Sequence, residues 1–246
     1  MAFGKLGKRR SVSPATQARS QVSRPEGLEI LVPARQDEER DLDIVFVHGL
    51  GGHALKSWWH SSSTAAVPWI ADPDFLGEIY EKARIMTFGY NADLRRKVSS
   101  HRIIDHANDL LEGLVEVRRK SQGRPLMFVA HSMGGLVVKK ALLLCQDDER
   151  YQDILEMRRS IIFLGTPHQG SEQADNLQVL LGLASLLQIK VSDISEELEA
   201  YSMTTVDINR SFMRNASRNL QVLCFYETVK TRLPQGERLV RTPPLR

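Results

Sequence analysis

The chain is short of cysteine, of long apolar runs and, at its start, of acid, and each shortage removes a class of protein. Cys145 and Cys224 are the only cysteines in 246 residues. They lack the near spacing of a zinc site and are too few for a disulfide scaffold. Cys145 falls in an expected helix and Cys224 in an apolar run, so buried thiols in a reducing compartment are the first reading, with a disulfide between them left open. The longest strongly apolar stretch, 177–189, is broken by Gln178, Ser185 and Gln188. It falls short of the roughly 20 residues that a membrane-spanning helix needs.

Residues 1–25 contain no acid. They hold Lys5, Lys8, Arg9, Arg10, Arg19 and Arg24, which leaves 27 basic against 30 acidic groups from Glu26 onward, a body of net charge −3 within a chain of +3. Nucleic-acid binding needs cations clustered on a folded surface, and here the excess sits in a leader, so no nucleic-acid partner is expected. Residues 1–27 are read as a basic disordered tail or a targeting segment, since an Arg- and Ser-rich, acid-free leader has the composition of a mitochondrial transit peptide. Combined with the Leu-rich segment after Asn176, this leader points to membrane-surface association, at a mitochondrion or the endoplasmic reticulum, with the cytoplasm as the alternative.

What is present is ordinary for a folded domain: 42% hydrophobic and 26% charged residues over a length that suits one core. After Asp41, short β-branched runs alternate with longer helical patterns. Strands are expected over 43–47, 83–88, 125–130, 160–164 and 220–225, and helices over 74–82, 101–120, 133–145 and 177–187. The alternation predicts an α/β protein with a mostly parallel sheet flanked by helices. In the second helix, Ile103, Ile104, Ala107, Leu110, Leu111, Leu114 and Val117 recur at the spacing of one buried stripe. The domain is placed at 28–232, with a cap or lid region at 171–219 and a disordered tail at 233–246.

Two motifs carry chemistry. Ala130-His131-Ser132-Met133-Gly134-Gly135 follows the run LMFV and precedes LVVKKALLLC, a strand, a tight turn and a helix. This is the context of a nucleophile elbow, where small residues flank a strained serine whose hydroxyl is raised above the sheet. Ser132 is the candidate nucleophile, and the Met133 N–H, at the helix start, is a candidate oxyanion donor. His48-Gly49-Leu50-Gly51-Gly52 closes the first strong strand, and its glycines allow a backbone N–H, assigned to Leu50, to face a substrate oxygen. A dinucleotide loop is the competing reading, but GLGG lacks the G-x-G-x-x-G spacing.

The combination of HGLGG, AHSMGG, FLGTPHQGS and FYET resembles the α/β-hydrolase superfamily over about residues 28–230. It is most similar to the lipase-like branch related to the serine-active-site-containing protein and the GPI inositol-deacylases, including hydrolase domains that fungi place before nucleotide-binding receptor modules. Trp58 and the phrase TFGYNA fit the same branch. The resemblance implies ester or lipid hydrolysis through an acyl-enzyme, a lipid or ester substrate, no cofactor and no metal. It also implies Glu227 as the acid that orients a histidine.

The histidine itself is missing from its expected place. All seven histidines, at 48, 53, 60, 101, 106, 131 and 168, precede Glu227, whereas this fold carries its triad in the order Ser, acid, His. The prolines of TPPLR resist a central strand, so the final strand and its histidine loop are expected to be absent. Three readings follow: a truncated family protein, a catalytically dead fold serving as a binding or signalling module, or His168 as substitute base. For His168 the family phrase TPH-x-G favours a structural or substrate-orienting role. His131 is expected to pack against the elbow, His48 to act through loop geometry, and His101 and His106 to be solvated or satisfied.

Overall fold

Continuous apolar runs in strands call for cover on both faces of a sheet, and that is how the chain folds. A computed structural model describes residues 26–33, 42–59, 68–72, 74–75, 83–92, 100–168, 195–226, 231–233 and 236–238. The strands are β1 (Gly27–Val32), β2 (Leu42–Val47), β3 (Ala83–Gly89), β4 (Leu126–His131), β5 (Arg158–Leu164) and β6 (Gln221–Phe225). They form one sheet in the order β1-β3-β2-β4-β5-β6. All neighbours run parallel except β1, which lies antiparallel against β3. The helices are α1 (Ser100–Arg118), α2 (Met133–Leu144), α3 (Gln152–Met157) and α4 (Ser195–Ser211), the last continued by a π-helical turn at Phe212–Ala216. This is an α/β-hydrolase fold.

One face of the sheet is covered by α1, α2 and the end of α4. Val45, Met86, Phe88, Phe128, Ile161 and Phe163 meet Leu110, Leu114, Leu136, Val137, Ile208 and Phe212 there. The stripe expected on α1 is the buried one: Ile103, Ala107, Leu110, Leu111 and Leu114 are inaccessible, while Ile104 and Val117 are half-buried. A smaller cluster on the other face joins Ile44, Phe46, Ile85 and Val129 to Trp58 and Ile70. Trp58 meets the Phe46 ring edge to face at 5.1 Å.

Three segments differ from the expected pattern. Strand β1 was not expected, because GLEILV is short, carries a glutamate and has two exposed residues, Glu29 and Ile30; pairing with β3 is what makes it a strand. The end of the region expected to form the cap is helix α4 with its π-helical turn, and Thr205, Ile208, Asn209, Phe212 and Ala216 are buried, so this part belongs to the core. A hairpin of β7 (Thr231–Leu233) and β8 (Gly236–Arg238) stands where the sequence suggested the start of a tail. The expected helices at 74–82, beyond its first two residues, and at 177–187 lie outside the described residues. Neither cysteine is in a disulfide, and burial pushes the Cys145 thiol up to about 12. Among the described residues no helix is long and apolar enough to cross a membrane.

At the amino-terminal end of the parallel strands, Asp43 is buried and held by three arginines. Arg84 donates from Nε at 2.9 Å and from Nη2 at 2.7 Å, Arg118 Nη1 at 2.6 Å and Arg124 Nη1 at 3.4 Å. Arg118 also donates to Asp153 at 2.8 Å. The network ties β2 to β3, α1, α3 and the loop before β4, at the sheet pole opposite the candidate site. Removing one partner of a buried ion pair leaves the others uncompensated, so Asp43→Asn is expected to cost about 3–5 kcal/mol. A denaturant midpoint that falls at unchanged slope would show it; a midpoint within error of the wild type would not be compatible with this role.

Candidate active site

Strand β4 delivers the chain to Ser132 and α2 leads away from it, so the serine occupies the corner between them. The corner is strained: Ser132 has φ 51° and ψ −122°, and only Asn219 shares a positive φ among the described non-glycine residues. Neighbouring groups hold it there. The Ser132 N–H donates to the Leu164 carbonyl at 2.9 Å, and its own carbonyl accepts from Gly135 at 3.1 Å. A Cβ on Gly134 would lie 2.5 Å from the Val47 carbonyl oxygen and closer still to that of His48, so only glycine lets the elbow nest against the end of β2. A Cβ on Gly49 would lie 2.7 Å from Ser132 Cβ, which places the HGLGG turn directly against the serine.

Strain of this kind costs on the order of 1–3 kcal/mol and is kept only where the surroundings impose it. Ser132→Gly is therefore expected to raise stability by about 1–2 kcal/mol while removing the hydroxyl. Ser132→Ala, which keeps the Cβ, should give no such gain. Thermal melts of the two variants against the wild type test this, and equal melting points would deny that the strain is stored at this residue.

The two expected oxyanion donors line one crevice. Leu50 and Met133 both border it. Met133 opens α2, where an N–H has no partner inside the helix. Among the described residues neither the Leu50 nor the Met133 N–H meets an acceptor. Two free amide donors beside a strained serine are what a tetrahedral oxyanion requires.

A ladder of rings fixes the turn that carries Leu50. His48 stacks on Tyr90 with centroids 4.3 Å apart and planes 5° from parallel, and Tyr90 in turn meets His106 of α1 at 4.6 Å. The Tyr90 hydroxyl donates to the His48 carbonyl at 2.7 Å, and the Tyr90 N–H to His48 Nε2 at 3.3 Å. With Nε2 accepting, the proton sits on Nδ1, which donates to the Gly49 carbonyl at 2.9 Å. Burial pushes His48 down to about 4, so the ring is neutral and both nitrogens are occupied. The Gly51 N–H adds a bond to the Ala92 carbonyl at 2.8 Å. His48 thus acts through loop geometry, and Tyr90 of TFGYNA is the partner that the sequence did not single out.

His168 is buried behind the elbow. Its Nδ1 lies 2.7 Å from Lys139 Nζ of α2, which also donates to Asn209 Oδ1 of α4 at 2.6 Å; Asn209 Nδ2 donates to the Pro167 carbonyl at 3.2 Å. Lys139 is fully buried over the Phe163 ring, 4.7 Å from its centroid, and burial pushes its pKa down to about 7. Burial, with the neighbouring Lys139 charge, pushes His168 down to about 3. A ring that gives Nδ1 to a lysine and resists protonation suits a structural post, not a general base. Thr166 of the same loop fills the space beside Gly135, so the cluster braces the elbow from below.

His131 is half-buried beside Gly49. Glu227 and the Leu-rich segment after Asn176 lie outside the described residues. No group of three or more His, Cys, Asp or Glu side chains that could hold a metal occurs among the described residues.

A strained serine between a parallel strand and a helix, with a glycine turn pressed against it, defines a serine hydrolase-like domain of the α/β-hydrolase fold. Residues 38–223 match the family model described as "Putative serine esterase (DUF676)", and the chain belongs to that family. It is 31% identical to Protein SERAC1 of Homo sapiens over 228 residues, covering 84% of this chain and 33% of that protein. Protein SERAC1 of Mus musculus is 30% identical over 227 residues, with the same coverage of 84% and 33%. The chain thus spans about a third of the length of the curated relatives it matches. Among solved structures, the mature lipase BlEst2 of Bacillus licheniformis is similar over 81% of this chain and 71% of its own, at 20% identity and a TM-score of 0.49.

Proposed function

We propose that the chain is the esterase domain of a carboxylic ester hydrolase or acyltransferase that acts on a lipid-like ester through an acyl-enzyme on Ser132. The observation that carries this reading is the pairing of the strained Ser132 with the unengaged Leu50 and Met133 amides. In the first step Ser132 Oγ attacks the ester carbonyl, its proton passes to a general base, and the oxygen of the tetrahedral intermediate is held by the two amides. Collapse expels the alcohol, and water or a second alcohol releases the acyl group. Glu227 orients the base. Neither His48 nor His168 is suited to be that base, so a histidine from polypeptide outside these 246 residues is proposed to supply it.

The environments of those two histidines also favour a second reading, a catalytically dead fold used for binding or signalling. A fluorophosphonate probe separates the two. Under the esterase reading the adduct forms on Ser132, is abolished by Ser132→Ala, and forms faster when a base is supplied. A chain that stays unreactive with a base present belongs to the binding module.

A further inference from the structure

Within the HGLGG turn, the peptide bond between Gly49 and Leu50 has its two polar ends treated in opposite ways. The Gly49 carbonyl is doubly engaged, by the Gly52 N–H at 3.0 Å and by His48 Nδ1 at 2.9 Å. The Leu50 N–H at the other end meets no acceptor among the described residues. A carbonyl oxygen has two lone pairs, and here both are taken. Since the peptide is trans and planar, holding its oxygen also fixes its N–H, which points the opposite way. The next peptide is held separately: Gly51 has φ 66°, the left-handed value that the third residue of a type II turn requires, and its N–H donates to the Ala92 carbonyl at 2.8 Å.

His48 can serve the Gly49 carbonyl in one tautomer only. The Tyr90 N–H, donating to Nε2 at 3.3 Å, leaves the proton on Nδ1, and the Tyr90 ring stacked at 4.3 Å holds the imidazole plane. Space is the other requirement. A Cβ on Gly52 would lie 2.7 Å from the Gly49 oxygen and 2.8 Å from His48 Nδ1, so the three groups converge only because residue 52 has no side chain. Gly52 has no positive φ, and its glycine is needed for room and not for backbone freedom.

Resting on the esterase reading above, we propose that His48 is a positioning residue for the oxyanion hole: together with Gly52 it clamps the Gly49 carbonyl and thereby aims the Leu50 N–H at the substrate oxygen. The donor is then oriented before the substrate arrives, which is the condition under which such a group stabilises developing charge without reorganising. His48 itself touches no reacting atom.

Two substitutions separate the contacts of the imidazole. His48→Asn keeps an N–H donor at the place of Nδ1 and gives up the acceptor for Tyr90, whereas His48→Gln keeps an acceptor at the place of Nε2 and gives up the donor to Gly49. Labelling of Ser132 by a fluorophosphonate, whose phosphoryl oxygen takes the place of the oxyanion, is measured on the full chain with imidazole as added base. His48→Gln is expected to slow labelling about tenfold more than His48→Asn, a part of the roughly 10²–10³-fold that the loss of an oxyanion donor costs. Gly52→Ala, which leaves His48 in place and crowds the same oxygen, should act like His48→Gln. A loss that is equal in His48→Asn and His48→Gln, or greater in His48→Asn, overturns the proposal.

A second measurement needs no chemistry. The residual dipolar coupling of the Leu50 N–H reports the direction of that bond; it should be unchanged in His48→Asn and altered in His48→Gln and Gly52→Ala. If it behaves so while Ser132 stays unlabelled even in the unsubstituted chain with imidazole, the esterase reading has failed and the clamp on the Gly49–Leu50 peptide stands. If the coupling is the same in every variant, the positioning role is refuted whatever the labelling does.

Discussion

Fluorophosphonate labelling of Ser132 in the 246-residue chain is expected to be slower by about 10³–10⁶-fold than in a serine hydrolase with a complete triad, the range lost when one triad member is removed. Under the proposed function the strained Ser132 and the two unengaged amides are available, so the expected deficit falls on the base. His48 spends Nε2 on the Tyr90 N–H and Nδ1 on the Gly49 carbonyl, and His168 gives Nδ1 to Lys139. Burial holds both far below the range in which an imidazole takes a proton at neutral pH. Imidazole in solution should therefore accelerate labelling, and a version of the chain extended by a strand and a histidine should label rapidly without it. Rapid labelling of the unextended chain, abolished by Ser132→Ala, would overturn this account. His168→Ala would then be the informative variant, because a true base is lost together with the reaction while the fold persists.

The parallel part of the sheet was legible because each strand is an uninterrupted apolar run bounded by polar turns: DIVFV, ARIMTF, PLMFVA, SIIFL and LQVLCF all fall within β2 to β6 or one residue of them. Strand β1 was not, since its pattern is that of an edge and its pairing with β3 depends on residues far along the chain. The fate of residues 195–216 was hidden for a similar reason. Nothing in SEELEAYSMTTVDINRS states that Thr205, Ile208 and Asn209 face α2; the hydropathy is weak, and the burial comes from Phe163, Lys139 and Phe212 meeting across three elements.

At the site, Ser132, Met133 and Leu50 were legible because strand, turn and glycine spacing are local signals. The long-range polar partners were not. Lys139 reads as one of two adjacent lysines in an apolar run, yet Lys139 is buried while Lys140 is half-exposed. Helical phase was the available signal: Lys139 follows Leu136 and precedes Leu142 at the three-residue spacing of the inward face. The Asp43 network gave no comparable sign, because its arginines come from three separate segments.

The two neutral histidines also make the fold acid-sensitive. A histidine free in the unfolded chain takes its proton near pH 6.5, whereas the folded protein resists it until about 4 at His48 and about 3 at His168. Between those values the unfolded state binds more protons, so stability must fall as pH falls. Their contribution is fully present above the unfolded value and is lost progressively as pH drops through the window from 6.5 toward 4. At pH 4.5, about two units below the unfolded value, each histidine costs about 2–3 kcal/mol relative to pH 7. Together they approach about 5 kcal/mol, a large share of the roughly 5–15 kcal/mol that holds a domain together. Lys139 adds a slope of the same sign at higher pH, since burial lowers it to about 7 and the unfolded chain stays protonated up to its ordinary value. Denaturant midpoints measured from pH 8 to pH 4.5 should fall steeply below pH 6.5, and His48→Gln with His168→Asn should flatten that limb even though both changes lower stability at pH 7. An unaltered slope in the double variant would transfer the effect to carboxylates. Protonating His48 also ends its acceptance of the Tyr90 N–H and so loosens the turn that carries Leu50. In the folded protein this sets in only near pH 4, where His48 takes its proton, so labelling of Ser132, corrected for the ionisation of the added imidazole, should hold from pH 6.5 to about 4.5 for as long as the chain stays folded.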